Sequence, residues 1–233
     1  MTGQHAGGGT RRLLTGLAAA VALAGVVLVA VAVAAQRSAP QPPRSLGRIE
    51  AAAPSPEAPR TPRVEPADTH PLGPSRPVRL DIPAIGVHTD LIRLGLAPDG
   101  TLAVPQPGPD LDKAAWFVNS PTPGQPGPSI IEGHVDSVEG PSVFFRLGAI
   151  RPGDRIHVRR ADGSRLTFTV DAVRDFEKIR FPTELVYGGA DLGRPQLRLI
   201  TCSDFDEAIH HHIGNEIVFA RLTDVRNRPP ADS

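Results

Sequence analysis

The sequence predicts an all-β domain: a closed or nearly closed β-barrel of about eight strands with short helices, preceded by one N-terminal transmembrane helix. Three observations predict it. Between residues 78 and 222 the apolar residues fall in short runs bounded by turn signals, the pattern of strands rather than of helices. The chain carries 23 Gly and 26 Pro against one Tyr and one Trp, a composition of many turns, although part of the proline belongs to a linker. An uncharged apolar run, residues 13–35, stands ahead of all this. Many short strands in so small a domain favour closure, because a closed sheet has no exposed edge.

At about 1.5 Å per helical residue the run 13–35 spans roughly 34 Å, enough to cross a hydrocarbon core. Arg11 and Arg12 precede it. By the positive-inside tendency they hold residues 1–12 in the cytoplasm and send the rest of the chain outside, so a single-pass cell-membrane protein with an extracellular domain is expected. A cleaved signal peptide is the alternative, since Ala32-Val33-Ala34 has the small residues of a cleavage site; the apolar run is longer than the roughly 7 to 15 residues of a signal. Residues 36–77 are rich in Pro, Ala, Arg, Ser and Glu without apolar periodicity and are expected to be a disordered tether biased to extended polyproline II. The folded domain is placed at 78–223 and a disordered tail at 224–233.

Within the domain the strand-like runs are residues 78–82, 91–96, 101–104, 114–118, 129–131, 155–158, 166–173, 197–202 and 216–222. Ala161-Asp162-Gly163-Ser164 joins two alternating runs and reads as a hairpin turn. Residues 142–147 and 183–187 are expected as short helices or helical turns.

Lys and Arg number 25 and Asp and Glu 25, with no basic block interleaved with aromatics, so a nucleic-acid partner is excluded. The phosphate-loop, zincin and G-x-S-x-G patterns are absent, as are cysteine pairs at zinc spacing, and no cofactor is expected. The one cysteine, Cys202, allows no intrachain disulfide. It ends the apolar run Leu197-Arg198-Leu199-Ile200-Thr201 and precedes a polar Ser203-Asp204, which places a thiol at a strand mouth. A lone cysteine is otherwise a small buried hydrophobe. His134 follows Ile130-Ile131-Glu132-Gly133 and projects from a strand end in the same way. With ordinary titration values near 8.5 and 6.5, only about 3% thiolate and about a quarter imidazolium exist at pH 7. An ion pair at a partly desolvated site favours both charged forms, and the imidazolium can then protonate a leaving amine.

The combination Ser129-Ile130-Ile131-Glu132-Gly133-His134-Val135-Asp136, then Leu199-Ile200-Thr201-Cys202, then Asn215-Glu216-Ile217-Val218-Phe219-Ala220 resembles the sortases, in particular their class E/F branch. Leu80-Asp81-Ile82-Pro83-Ala84-Ile85-Gly86-Val87 is similar to the family's opening strand and turn, and Pro98-Asp99-Gly100 and Pro152-Gly153-Asp154 to later turns. The resemblance implies a Gram-positive cell-wall transpeptidase that cleaves an LPXTG-like sorting signal between Thr and Gly. Cys202 is then the nucleophile, held as a thioester until a cell-wall precursor amine resolves it, and His134 is the proton-handling partner. Its partners are sorting-signal proteins, the wall amine and, through residues 13–35, the membrane.

The family's third member is an arginine on the strand after the cysteine, and here the sequence departs. The corresponding positions are Asn215 and Ile213, neither cationic. Asn215 offers a neutral hydrogen bond, roughly half as strong as a charge-assisted one. Arg221 is the other candidate, further along the strand. The run His210-His211-His212 invites a metal reading, but three consecutive extended residues do not face one ion, nor is a set completed by Asp136, Asp204, Asp206 or Glu207, and no metal is expected. Two other functions compete: a catalytically silent barrel that binds peptide, and a cysteine peptidase that releases its substrate to water.

Overall fold

The main sheet closes on itself through pairing between strands near the two ends of its order. The computed structural model describes residues 39–41, 45–47, 70–189 and 191–226. The expected cytoplasmic segment 1–12, the anchor 13–35, most of the tether and the tail from 227 lie outside the described residues. Among the described residues no helix is long and apolar enough to cross a membrane.

The strands are β1 (Ser45–Gly47), β2 (Pro77–Ile82), β3 (Val87–Leu94), β4 (Ala114–Phe117), β5 (Gly127–Glu132), β6 (Asp136–Ser137), β7 (Gly140–Pro141), β8 (Arg155–Arg160), β9 (Arg165–Glu177), β10 (Pro195–Asp206) and β11 (His211–Arg226). One five-residue helix, α1 (Thr183–Tyr187), and 3-10 turns at Pro83–Ile85, Leu147–Ala149 and Lys178–Arg180 complete the described elements. The sheet order β9-β11-β10-β5-β4-β3-β2-β8 returns to its start because β8 also pairs with β9, which makes an eight-stranded closed barrel. Most neighbours are antiparallel; β5 with β10 and β3 with β4 are parallel.

The interior is filled by Leu80 and Ile82, Ile131, Ile156 and Val158, Leu166 and Phe168, Leu197 and Leu199, and Val218, which together form one buried cluster. The residues next to them in sequence face outward and bury a second cluster: Ile130, Ile200, Ile217, Phe117, Ala172 and Phe219 pack with Val186 of α1 and with Phe176, Phe181 and Tyr187. β5, β10 and β11 are therefore apolar on both faces, which is why they read as continuous runs rather than alternating ones. The hairpin expected at residues 161–164 is present, with Gly163 at φ 84 and Arg160 N–H donating to Ser164 O at 2.9 Å.

Several boundaries differ from expectation. Folded structure begins before residue 78, because the buried Arg160 needs acceptors and finds the carbonyls of Gly73 (2.8 Å) and Pro123 (2.9 Å). Leu72 follows, donating its N–H to Gly124 O at 2.8 Å and packing on the core. Within the expected tether, Ser45–Gly47 pairs with Ala172–Arg174 of β9. β8 covers β9 only as far as Thr169, so the upper half of β9 has an open edge there for a short extended segment to cover. β11 runs to Arg226, opposite Arg165, three residues into the expected tail. Residues 101–104 form no strand: a single bridge, Leu96 to Leu102, closes the turn at Pro98-Asp99-Gly100, and Pro105, without an N–H, ends the run. Residues 143–146 are turns leading into the Leu147–Ala149 3-10 turn.

Phe168 is fully buried at the centre of the interior cluster. Phe168→Ala is expected to lower the unfolding free energy by about 3–5 kcal/mol, read as a reduced midpoint in urea denaturation followed by tryptophan fluorescence.

Candidate active site

The parallel pairing of β5 with β10 runs in register from Pro195 opposite Gly127 to Ile200 opposite Glu132. The ladder extends one bond further, Gly133 N–H to Ile200 O at 3.2 Å, and the Thr201 hydroxyl donates to Gly133 O at 2.8 Å. Continuing that register by two residues sets His134 beside Cys202. Side chains alternate, so Glu132, His134, Ile200 and Cys202 share the outer face of the sheet, the face of the second apolar cluster. Across β10 on its other side, Asn215 of β11 is the direct partner of Cys202, and beyond it Phe176 of β9 is the partner of Asn215. The structure thus brings together Cys202, His134 and Asn215.

Cys202 is not at the end of its strand. β10 continues to Asp206, paired with β11 as far as His211, and only the pairing with β5 stops. The Ser203-Asp204 step that reads as a turn is a local irregularity, with Asp204 at φ 52, and pairing resumes in register at Phe205 opposite His212. The thiol therefore opens not into the barrel but onto its outside, where β5 has ended.

His134 is held from two sides. Its imidazole Nε2 contacts Pro105 O at 2.8 Å, the position of an N–H donor, which leaves Nδ1 as the free ring nitrogen of the neutral tautomer. Its carbonyl accepts from Phe144 N–H at 2.9 Å, while Ser142 N–H donates to Val135 O at 3.1 Å. Gly133 is required for this approach: a Cβ there would stand 2.6 Å from Val143 and 2.9 Å from the buried Phe144 ring.

Burial pushes the Cys202 thiol above its ordinary value; the nearby Lys178 ammonium pulls the other way, and the carboxyls of Asp136 and Glu132 add to the rise. Glu132 itself is buried, its Oε1 has no hydrogen-bond partner, and burial pushes its carboxyl up to about 8. On the opposite face Glu216 sits across from Asp175, and burial with the Asp175 charge pushes it to about 8 as well. Lys178 and Glu132 went unrecognised as site residues in the sequence, where Glu132 is only part of the strand before His134 and Lys178 lies in the mixed-charge stretch Glu177-Lys178-Ile179-Arg180.

Arg221 does not join the site. It lies opposite Gln196, six residues from Cys202 along β10 or about 20 Å, and is ion-paired with Asp171. Ile213 is exposed. The three consecutive histidines diverge: His210 occupies the turn at φ 49, His211 begins β11, and His212 contacts Asp136 Oδ1 at 3.0 Å and packs edge-on against Phe205. Among the described residues no group of three or more His, Cys, Asp or Glu could hold a metal ion.

An eight-stranded closed barrel with a cysteine on one strand and a histidine beside it at the end of the parallel neighbour is the class of protein that fold and site define. Residues 80–223, more than half of the chain, match the Sortase domain, and the chain belongs to the sortase family. Among solved structures, the SrtA sortase from Actinomyces oris is similar at 20% identity, covering 73% of this chain and 95% of that one with a TM-score of 0.50. Sortase A from Corynebacterium diphtheriae is similar at 23% identity over 67% of this chain, which spans 64% of that protein, with a TM-score of 0.49. At such identities the likeness is one of fold. No curated protein matches the chain.

Two outcomes follow from this geometry. Below about pH 4.5 Glu132 and Glu216 are neutral whether folded or unfolded; between there and about pH 8 the unfolded chain loses protons that the folded chain keeps, so stability falls as pH rises across that window. Thermal melts should show Tm declining from pH 5 to pH 8, with a shallower decline in Glu132→Gln and Glu216→Gln. Arg221→Ala, about 20 Å from the thiol and paired with Asp171, should leave the rate of Cys202 alkylation at its wild-type value.

Proposed function

We propose that the domain is a sortase transpeptidase that cleaves an LPXTG-like sorting signal between Thr and Gly through a Cys202 thioester and passes the acyl group to a cell-wall amine. The observation that supports this reading is the register of β5 on β10, which ends with Glu132 opposite Ile200 and, continued by two residues, sets His134 beside Cys202. Residues 13–35 are the anchor that keeps the domain at the outer surface of the membrane.

The chemistry runs in two halves. The Cys202 thiolate attacks the scissile carbonyl; a C–S bond forms and the carbonyl electron pair moves onto oxygen. The pair then returns, the C–N bond breaks, and the leaving amine takes a proton from the His134 imidazolium. In the second half the acceptor amine attacks the thioester, gives its proton to His134 and expels the thiolate. Pro105 O fixes the ring through Nε2, so Nδ1 is the nitrogen that takes up and returns the proton.

Mass spectrometry of the full-length chain incubated with an LPXTG-type peptide should reveal an acyl adduct on Cys202 that disappears when an amine is added, with the amide as product. Cys202→Ala should form no adduct. Peptide cleavage by Cys202→Ala would remove the nucleophile assignment. Release of free acid despite abundant amine would mark a peptidase, and no adduct at all a silent barrel.

A further inference from the structure

The turn after β9 delivers to Cys202 a cation that the strand after the cysteine lacks. β11 lies between β9 and β10, and its register sets Asn215 between Phe176 and Cys202 and Gly214 between Glu177 and Ser203. Lys178 comes next after Glu177 and opens the 3-10 turn Lys178–Arg180, so it starts on the side of the sheet that Phe176 faces, two strands from Cys202. Two strand spacings are about 10 Å. The four-carbon stem of a lysine and the short side chain of a cysteine together span that gap, and the Lys178 ammonium is near enough to pull the Cys202 thiol down against the rise that burial causes.

The groups around the thiol explain why one cation there matters. From β5 comes the carboxyl of Glu132, from β6 that of Asp136, tied to His212 of β11 at 3.0 Å, and from the residue beyond Gly133 the His134 imidazole. β11 contributes the neutral Asn215. Burial and both acids disfavour a thiolate, and Lys178 is the one cation that acts on it among the described residues. Arg180, two residues on, is exposed and faces Glu177 at 3.7 Å.

Resting on the sortase reading above, we propose that Lys178 is a catalytic residue: its ammonium, carried from the end of β9, holds the Cys202 thiolate and then the oxyanion of the tetrahedral intermediate, in the role that no cation on β11 fills. A lysine ammonium has three rotatable donors, so one N–H stays on sulfur while another meets the oxygen. As the C–S bond forms and the carbonyl pair moves to oxygen, Lys178 donates a hydrogen bond to that oxygen and keeps its proton. When the pair returns and the C–N bond breaks, the proton for the leaving amine comes from His134. Asn215, across from the thiol, adds a neutral donor to the same side.

The test uses the full-length chain with Lys178→Met, Lys178→Arg and Arg180→Met, and two readouts: the pH profile of Cys202 alkylation by iodoacetamide, which needs no substrate, and turnover of an LPXTG-type peptide. Lys178→Met should move the alkylation profile to higher pH and lower turnover by about 10²–10³-fold, the loss typical of one oxyanion donor. Lys178→Arg should recover most of both, which separates loss of charge from loss of packing, and Arg180→Met should match the wild type. An unshifted alkylation profile in Lys178→Met, or wild-type turnover in it, overturns the proposal. If the wild-type chain turns over no peptide, the sortase reading fails, while a shifted profile still supports Lys178 as the partner of the thiolate.

Discussion

The parallel pairing of β5 with β10 is the constraint on which the rest depends. Cys202 and His134 are 68 positions apart in sequence, and nothing local holds them together. What does is a ladder in which each residue of β5 has a fixed neighbour on β10, continued past its regular end by the Gly133 N–H to Ile200 O bond and the Thr201 hydroxyl to Gly133 O bond. A one-residue slip would turn one member of the pair into the barrel. Such a slip would also place Ile130 and Ile131 on the wrong faces, and each is fully buried in a different apolar cluster. Core packing on both sides of the sheet therefore sets the register, and the register sets the chemistry.

The same two-faced packing explains the electrostatics. Placing the thiol on the outer face, beside a covered apolar strip, desolvates it and raises its titration point, and the neighbouring carboxyls raise it further. Such a site keeps the thiol protonated and unreactive unless cations answer it. Lys178 supplies the cation that acts on the thiol, and His134 is the neighbouring imidazole, held in place by the Pro105 carbonyl and by Phe144. Glu132, two residues before the histidine, is itself buried, and burial pushes its carboxyl up to about 8.

Much of the fold was legible in the sequence because strands buried on one or both faces leave a mark in hydrophobic periodicity. The runs around Leu80, Ile131, Phe168, Leu199 and Val218 are all strands, and the residues 161–164 turn is where its Asp-Gly step placed it. Cys202 and His134 each follow an apolar run that is a strand in the structure, but as a pair they were singled out by the family resemblance. Asn215 was found by counting along one strand, and the register sets it opposite the cysteine. Counting along one strand could not find Lys178, since its proximity to Cys202 depends on the order β9-β11-β10, a property of the whole sheet. For the same reason Arg221, close to the cysteine strand in sequence terms, proved to lie about 20 Å along it. The segment before residue 78 was misjudged because its anchorage is polar: the carbonyl of Gly73 meets a buried arginine from a distant hairpin, and no periodicity records that.

The central claim is that His134 and Cys202 stand side by side across the ends of two parallel strands. A disulfide forms only between cysteines whose Cα atoms are roughly 4.4–6.8 Å apart, so it measures this adjacency directly and without reference to any substrate. His134→Cys in the full-length chain, oxidised at low protein concentration, should lose both free thiols to an intramolecular bond, visible in the intact mass and reversed by reductant. Two thiols that remain titratable after oxidation, in a protein that still melts cooperatively, would contradict the register and the account built on it.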